Sequence, residues 1–356
     1  MNSECNYNDD DVMEITDMKK TDHNENKKEF QYQSLVYEKG KKSKTWSESP
    51  KKYFVIEHES MPTVVMFNKT SKLLFTSLKS GKTQMWNKDK LHVQYKNQDL
   101  SSMKHECELE LPNEKKYCTR SASLSPINER VLLLSGESSN VYVWDLEKMI
   151  PHTVESGHDK IFSSTFLNNS RYQYIQGTST GIIESIDLKF EGKCFELSGH
   201  RNTISKIKNY DEYMIVSSDI DGLMNIWDMR MLKLLTSTKF DNGIMTFDNY
   251  ECDLNRFVIG MDNSTISIFN AQKNEIDKQM QCHAHKRVLS VRTHRSGWFC
   301  SGGLNGKLLY HGYAYDDVGC VLSRTISPIL SIDISNSGNY IACSSKNNTT
   351  DVYFVS

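Results

Sequence analysis

Residues 198–228 read SGHRNTISKIKNYDEYMIVSSDIDGLMNIWD. Near the end of this stretch the turn Asp221-Gly222 leads into a short apolar strand that Trp227 closes. Glycine suits such a turn because it adopts a positive φ without steric cost. A tight turn, a short strand and an aromatic or apolar last residue recur along most of the chain, and this recurrence decides the fold.

The closing residues of these segments are nearly equally spaced. They are Trp86, Trp144, Ile186, Trp227, Phe269, His311 and Tyr353. Successive intervals are 58, 42, 41, 42, 42 and 42 residues. In every segment a turn of small or polar residues lies six and five positions before the closing residue. A period near 42 is typical of propeller blades made of four short strands. The sequence therefore predicts an all-β, seven-bladed β-propeller.

The two ends of the repeat array predict how the ring closes. The sequence stops at Ser356, just after the third strand of the seventh blade, which leaves that blade one strand short. The run Tyr53–Glu57 has the length and apolarity of the missing strand. We expect it to pair with the last strand, because an open propeller would present bare strand edges.

Outside the repeats the sequence predicts an arm and an insertion. Residues 1–51 carry acids followed by lysines and almost no apolar periodicity, so a disordered arm is expected there, with the propeller over 52–356. The first interval is about 16 residues longer than the others. The additional residues fall within 91–118 and are predicted to form a loop or an outer hairpin.

The segment quoted above resembles a repeat of the WD40 family, with its Gly-His start at Gly199-His200 and its Trp-Asp end. In that family a His, an Asp, a strand Ser or Thr and the Trp form a hydrogen-bonded network inside a blade. The resemblance implies such a network from His200, Asp221, Ser217 (or Ser218) and Trp227. It extends over about residues 53–356, although the other repeats keep only parts of the motif.

Composition and motifs argue against catalysis, against metal binding and against general binding to nucleic acid or membranes. The balance of 43 Lys and Arg against 45 Asp and Glu gives no global attraction to nucleic acid or to an anionic membrane. A phosphate-binding glycine loop, a nucleophile elbow and a His-Glu-x-x-His motif are lacking, so no catalytic residue and no cofactor is expected. Cys282-His283-Ala284-His285 is interpreted as structural, and no metal site is expected. The nine cysteines are odd in number and form no Cys-x-x-Cys pair, and the N-terminus is polar. Both features favour an intracellular protein, in the nucleus or the cytoplasm.

One local motif indicates a partner. Trp227-Asp228-Met229-Arg230 is similar to the Trp-Asp-x-Arg element of the WD-repeat substrate receptors of cullin-RING ubiquitin ligases. The similarity implies a non-catalytic scaffold in which Asp228 and Arg230 bind a cullin-ligase adaptor. The alternative is a structural WD40 subunit of a nuclear chromatin or RNA-processing complex. In that case the lysine-rich arm would contact nucleic acid.

Overall fold

The computed structural model describes residues 51–96, 104–111, 117–157, 160–190, 192–250, 253–312, 320–325 and 327–355. Within these ranges the chain forms seven four-stranded antiparallel sheets and one helix. This is the seven-bladed β-propeller that the repeat spacing predicts. The predicted arm lies outside the described residues except for Lys51, where the first strand begins.

Blades one to six take their strands in chain order from the inside to the outside. Blade one has β2 (Pro62–Phe67), β3 (Leu73–Leu78), β4 (Lys82–Asn87) and β5 (Cys107–Glu110), with the helix α1 (Lys88–Lys96) between the last two. Blade two has β6 (Thr119–Leu124), β7 (Val131–Gly136), β8 (Asn140–Asp145) and β9 (Ile150–Glu155). Blade three has β10 (Ile161–Phe166), β11 (Gln173–Thr178), β12 (Ile182–Asp187) and β13 (Gly192–Ser198). Blade four has β14 (Ile204–Asn209), β15 (Met214–Asp219), β16 (Leu223–Asp228) and β17 (Lys233–Lys239).

The remaining blades follow the same order. Blade five has β18 (Ile244–Asn249), β19 (Arg256–Met261), β20 (Thr265–Asn270) and β21 (Glu275–Gln281). Blade six has β22 (Val288–Thr293), β23 (Phe299–Gly303), β24 (Lys307–His311) and β25 (Cys320–Arg324). Blade seven has β26 (Ile329–Ile334), β27 (Tyr340–Ser345) and β28 (Thr349–Phe354), and its outer strand is β1 (Lys51–Glu57).

The N-terminal strand closes the ring as predicted. β1 pairs antiparallel with β28, and Phe54 lies opposite Val352. Phe54 and Ile56 are almost fully buried and pack in one cluster with Val65 of blade one. The strand β1 thus joins the last blade and covers an edge that would otherwise be open.

The tight turn between the second and third strands has the backbone that the repeated small residues predict. Its second residue has a positive φ in six blades: Gly81 (88°), Gly181 (85°), Gly222 (92°), Ser264 (75°), Gly306 (71°) and Asn348 (64°). At Gly222 a Cβ atom would lie 2.3 Å from the carbonyl oxygen of Asn242, so a side chain is excluded there by contact as well as by conformation.

The seven inner strands contact one another in a ring around the central channel. Each has a β-bulge at its second residue where it pairs with its neighbour in the blade. Side chains beyond the bulge bond to the next blade: Ser163 accepts the Ile207 N–H at 2.9 Å, and Ser290 accepts the Ile332 N–H at 2.9 Å. Hydrogen bonds therefore join blades whose apolar faces already pack together.

The insertion in blade one is described only in part, because 97–103 and 112–116 lie outside the described residues. A helix, α1, begins directly after β4, where a loop or hairpin was expected within 91–118. The side chain of Asn87 accepts the backbone N–H groups of Asp89 and Lys90 at 3.1 and 3.3 Å, which caps the helix. Leu91 anchors α1 in the cluster that contains Trp86. Within the described ranges, no helix has the length and apolarity needed to cross a membrane.

Candidate protein-docking site

The blade-four network gathers around the hydroxyl of Ser217. This residue lies on β15, and Trp227 lies diagonally across from it on β16. The indole Nε1–H donates to Ser217 Oγ at 2.8 Å, and Ser217 Oγ lies 2.6 Å from His200 Nε2. His200 reaches this position from the connection between β13 and β14. The structure therefore brings together three of the four residues that the family resemblance implied.

The fourth member of the network is Asp219 instead of Asp221. His200 Nδ1 lies 2.9 Å from Asp219 Oδ2, and the other carboxylate oxygen accepts the N–H groups of Asp221 and Leu223. Asp221 instead points outward, where it accepts a bond from Asn202 at 3.0 Å. The physical reason is position: Asp219 ends β15 beside the buried imidazole, whereas Asp221 lies at the exposed tip of the turn.

The hydrogen bonds set the protonation of the network. The carboxylate of Asp219 has a lowered pKa and can only accept, so Nδ1–H of His200 donates to it. Nε2 of His200 then accepts the hydroxyl proton of Ser217, whose oxygen accepts the indole N–H. This order resembles a Ser-His-Asp catalytic triad. However, the side chains of His200 and Asp219 are 0% and 2% exposed, and the hydroxyl already accepts the indole bond. No face of Ser217 is left for a substrate, so the arrangement stabilises the blade.

Blade six contains a variant of the same network. Ser301 Oγ lies 2.9 Å from His283 Nε2 and 3.0 Å from Nε2 of His311, which occupies the closing position. Asn305 Oδ1 takes the place of the carboxylate, 3.0 Å from His283 Nδ1. Burial lowers the pKa of both imidazoles, to about 3 for His311. The neighbouring His285 is exposed and takes no part.

Blade two lacks the hydroxyl that binds the closing ring in blades one, four and six. In blades one, four and six, a Thr or Ser stands ten residues before the closing residue and bonds to its ring. In blade two that position is Leu134, and among the described residues the buried Nε1 of Trp144 has no hydrogen-bond partner. The hydroxyl-to-ring bond is thus a feature of some blades, whereas the four-stranded sheet is common to all seven.

Asp228, a predicted partner-binding residue, bonds to the backbone of the turn that follows it. Its carboxylate accepts the N–H groups of Arg230 and Met231 at 2.8 and 3.1 Å, and the residue is only 5% exposed. The bond from Met231 contributes most to lowering the pKa of Asp228. Asp145 and Asn270 make the same turn in blades two and five. The Asp of the Trp-Asp end therefore shapes the turn after the third strand.

Arg230, the other predicted partner-binding residue, is presented to solvent. Its guanidinium lies over the ring of Tyr213, 4.9 Å from the centroid, and 3.5 Å from a carboxylate oxygen of Asp228. The side chain remains 61% exposed. Met231 and Leu232 beside it are 58% and 44% exposed. We call Tyr213, Asp228, Arg230, Met231 and Leu232 the blade-four corner.

Blade three has a corner of the same design, which the sequence reasoning missed. The ammonium of Lys189 lies over the ring of Tyr172, 4.6 Å from the ring centroid. The backbone N–H of Lys189 donates to the carboxylate of Asp187. Phe190 beside it is 83% exposed. Tyr172, Lys189 and Phe190 precede Tyr213, Arg230 and Met231 by 41 residues each, so aligning the repeats on their closing residues could have found them. We call Tyr172, Asp187, Lys189 and Phe190 the blade-three corner.

The two corners lie on the same side of the propeller. Strands alternate in direction within a blade, so the turns after the first and third strands share one face. Tyr172 and Tyr213 belong to the first of these turns, and Lys189 and Arg230 belong to the second. Adjacent blades thus expose two cations and three large apolar side chains on one face.

Seven four-stranded blades, a ring closed by the N-terminal strand and a buried His-Ser-Trp network define the class: the chain is a seven-bladed β-propeller that fits the WD40-repeat family. It is similar to Protein groucho of Drosophila melanogaster, with 28% identity over 242 residues, 66% of this chain and 32% of that protein. It is also similar to Autophagy-related protein 16 of Arabidopsis thaliana, with 20% identity over 228 residues, 62% of this chain and 44% of that protein. The alignments therefore span less than half of either relative. No family model matches the chain.

Proposed function

We propose that this propeller is a non-catalytic scaffold for protein–protein interaction, and that its blade-four corner docks a partner. The observation that carries the proposal is the exposed guanidinium of Arg230, held between Tyr213 and Asp228 beside two exposed apolar side chains. Binding would then order few side chains, because the turn and the ring already hold the arginine. Arginine, tyrosine and methionine are also enriched at protein interfaces.

The most specific form of the proposal is a substrate receptor of a cullin-RING ubiquitin ligase whose adaptor binds the blade-four corner. Support comes from the Trp-Asp-x-Arg motif together with the direction of its arginine, which can form two parallel bonds with a carboxylate or carbonyl group. In this form Arg230 contacts the adaptor, and Asp228 holds the turn that presents it. The proposal places the protein inside the cell, in the nucleus or the cytoplasm.

The blade-three corner extends the proposed docking face. Phe190 is among the most exposed large apolar side chains of the described residues, and it lies next to a lysine stacked on tyrosine. A partner that spans both corners would bury an aromatic anchor in addition to the arginine contact. Anchors of this kind dominate binding energy in protein interfaces.

The test is binding of the purified full-length chain to the purified cullin adaptor, measured by biolayer interferometry. Arg230→Glu should weaken binding at least about tenfold, and Phe190→Ala should weaken it by about the same factor. Lys148→Ala is the matched control, because Lys148 is 72% exposed on the equivalent turn of blade two. Circular dichroism would verify that the variants are folded.

The outcomes separate the two levels of the proposal. If the wild type does not bind the adaptor at micromolar concentration, the ligase form is wrong. If the wild type binds and Arg230→Glu binds equally well, the blade-four corner is not the docking site. The scaffold role then requires partners identified by proximity labelling, and the same two variants would have to lose them.

A further inference from the structure

Charged side chains gather on one side of the central channel. The fifth position of the inner strand is Lys208 in blade four, Asp248 in blade five, Arg292 in blade six and Asp333 in blade seven. The same position in blades one to three is occupied by the uncharged residues Met66, Ser123 and Thr165. At this position the inner strands are thus charged in four blades and uncharged in three.

These four side chains form a chain of contacts across the blades. Lys208 pairs with Asp248, and Arg292 Nε lies 3.1 Å from Asp333 Oδ1. Nη1 of Arg292 lies 4.0 Å from Asp248. The second oxygen of Asp333 accepts the N–H of Phe67 in blade one at 2.6 Å. Both carboxylates are therefore bound by cations and backbone donors, with little capacity left for another cation.

Lys206 is a third cation in the same space. It precedes Lys208 by two residues on β14, and it is partly accessible to solvent. Burial lowers its pKa to about 8, and the positive charge of Arg292 adds to this effect. The pairing of β14 with β15 is regular from Lys206 to Lys208, and side chains two residues apart on a strand point to the same face. Lys206 therefore lies on the channel face beside Lys208, whose partner Asp248 also contacts Arg292. Among the described residues, the Lys206 ammonium has no ion-pair partner within 4.0 Å.

The cluster therefore has one positive charge more than its carboxylates balance. At pH 7 Lys206 is still mostly protonated, because its pKa lies about one unit higher. An unpaired cation in a poorly solvated space is costly, and an anion that enters the channel removes this cost. A single negative charge completes the balance, whereas a phosphate dianion would exceed it.

We propose that the channel binds one carboxylate group between Lys206 and Arg292. The ammonium and the guanidinium would donate hydrogen bonds to its two oxygen atoms. The carboxylate would come either from a small organic acid or from an Asp or Glu side chain of a protein partner. This site is separate from the blade-four corner and does not depend on the docking function proposed above.

The test uses trifluoroacetate as the probe, with ¹⁹F relaxation measured on the full chain at constant ionic strength. Wild type and Lys206→Arg should bind it, and Lys206→Met should bind about tenfold more weakly or worse. Lys273→Met is the matched control, because Lys273 is exposed on the turn after β20. Thermal unfolding would show that each variant is folded. Raising the pH from 7 to 9 should also weaken binding by the wild type, since Lys206 loses its proton near pH 8.

Two competitors distinguish the sources of the carboxylate. Acetate represents a free acid, and the blocked tripeptide acetyl-Gly-Glu-Gly-amide represents a partner side chain, with its Gln analogue as the neutral control. Stronger competition by the Glu peptide assigns the site to a protein partner, and equal or stronger competition by acetate assigns it to a small acid. The proposal is overturned if the wild type does not bind the probe, or if Lys206→Met binds it as the wild type does.

Discussion

Replacing His311 by glutamine should reduce the acid sensitivity of the protein. His311 closes blade six, stacked on Phe299 with ring centroids 4.2 Å apart and bonded to Ser301 at 3.0 Å. Burial lowers its pKa from 6.5 to about 3, and the charge of His283 contributes in the same direction. The folded protein therefore keeps this imidazole neutral at pH values where the unfolded chain already binds a proton.

The size of the effect follows from proton linkage. Below pH 6.5 the unfolded state binds more protons than the folded state, so the free energy of unfolding decreases as the pH falls. Between pH 7 and pH 5 the loss from His311 alone amounts to about 2 kcal/mol. This figure hardly changes for any folded-state pKa below about 4, because proton uptake in that interval occurs almost entirely in the unfolded chain.

The assay is urea unfolding at pH 7 and at pH 5, followed by tryptophan fluorescence. His311→Gln keeps an N–H donor near Ser301 but does not titrate, so its stability should fall by about 2 kcal/mol less than that of the wild type. At pH 7 the variant should be less stable, since it loses the stacking on Phe299. The matched control, His285→Gln, alters an exposed side chain and should follow the wild type. Equal pH dependence of wild type and His311→Gln would refute the reasoning.

Three further predictions concern the stability of the fold. Ser217→Ala leaves the buried indole of Trp227 without an acceptor and should cost about 1–3 kcal/mol, whereas Asp221→Ala should stay within about 0.5 kcal/mol in the same urea titrations. Removal of residues 1–58 should unfold or aggregate the protein, while removal of residues 1–45 should leave its melting temperature nearly unchanged, because only the longer deletion removes the closing strand. Gly222→Ala should lower the melting temperature by several degrees, because the added Cβ collides with a carbonyl oxygen at a positive φ; an unchanged melting curve would contradict this.

The sequence predicts the turn after the third strand only in part. Asp228 and Arg230 stand out as a motif, yet the motif does not show that the carboxylate bonds to its own backbone while the guanidinium lies over Tyr213. The tyrosine precedes the arginine by 17 residues and meets it only because the two turns share one face. The helix α1 was also missed, since its single cap at Asn87 and the anchor Leu91 are weak local signals.

The sequence by itself determined the number of blades, the strand that closes the ring and the residues that close each blade. These features repeat at short range: strand period and turn residues agree in every repeat, and the spacing agrees in all but the first interval. Only the tertiary structure decided that Asp219 holds His200 and that Arg292 of blade six contacts carboxylates of both neighbouring blades. The contacts of Arg292 depend on the curvature of the whole ring, which brings side chains from separate blades together, and no local pattern in the chain encodes that curvature.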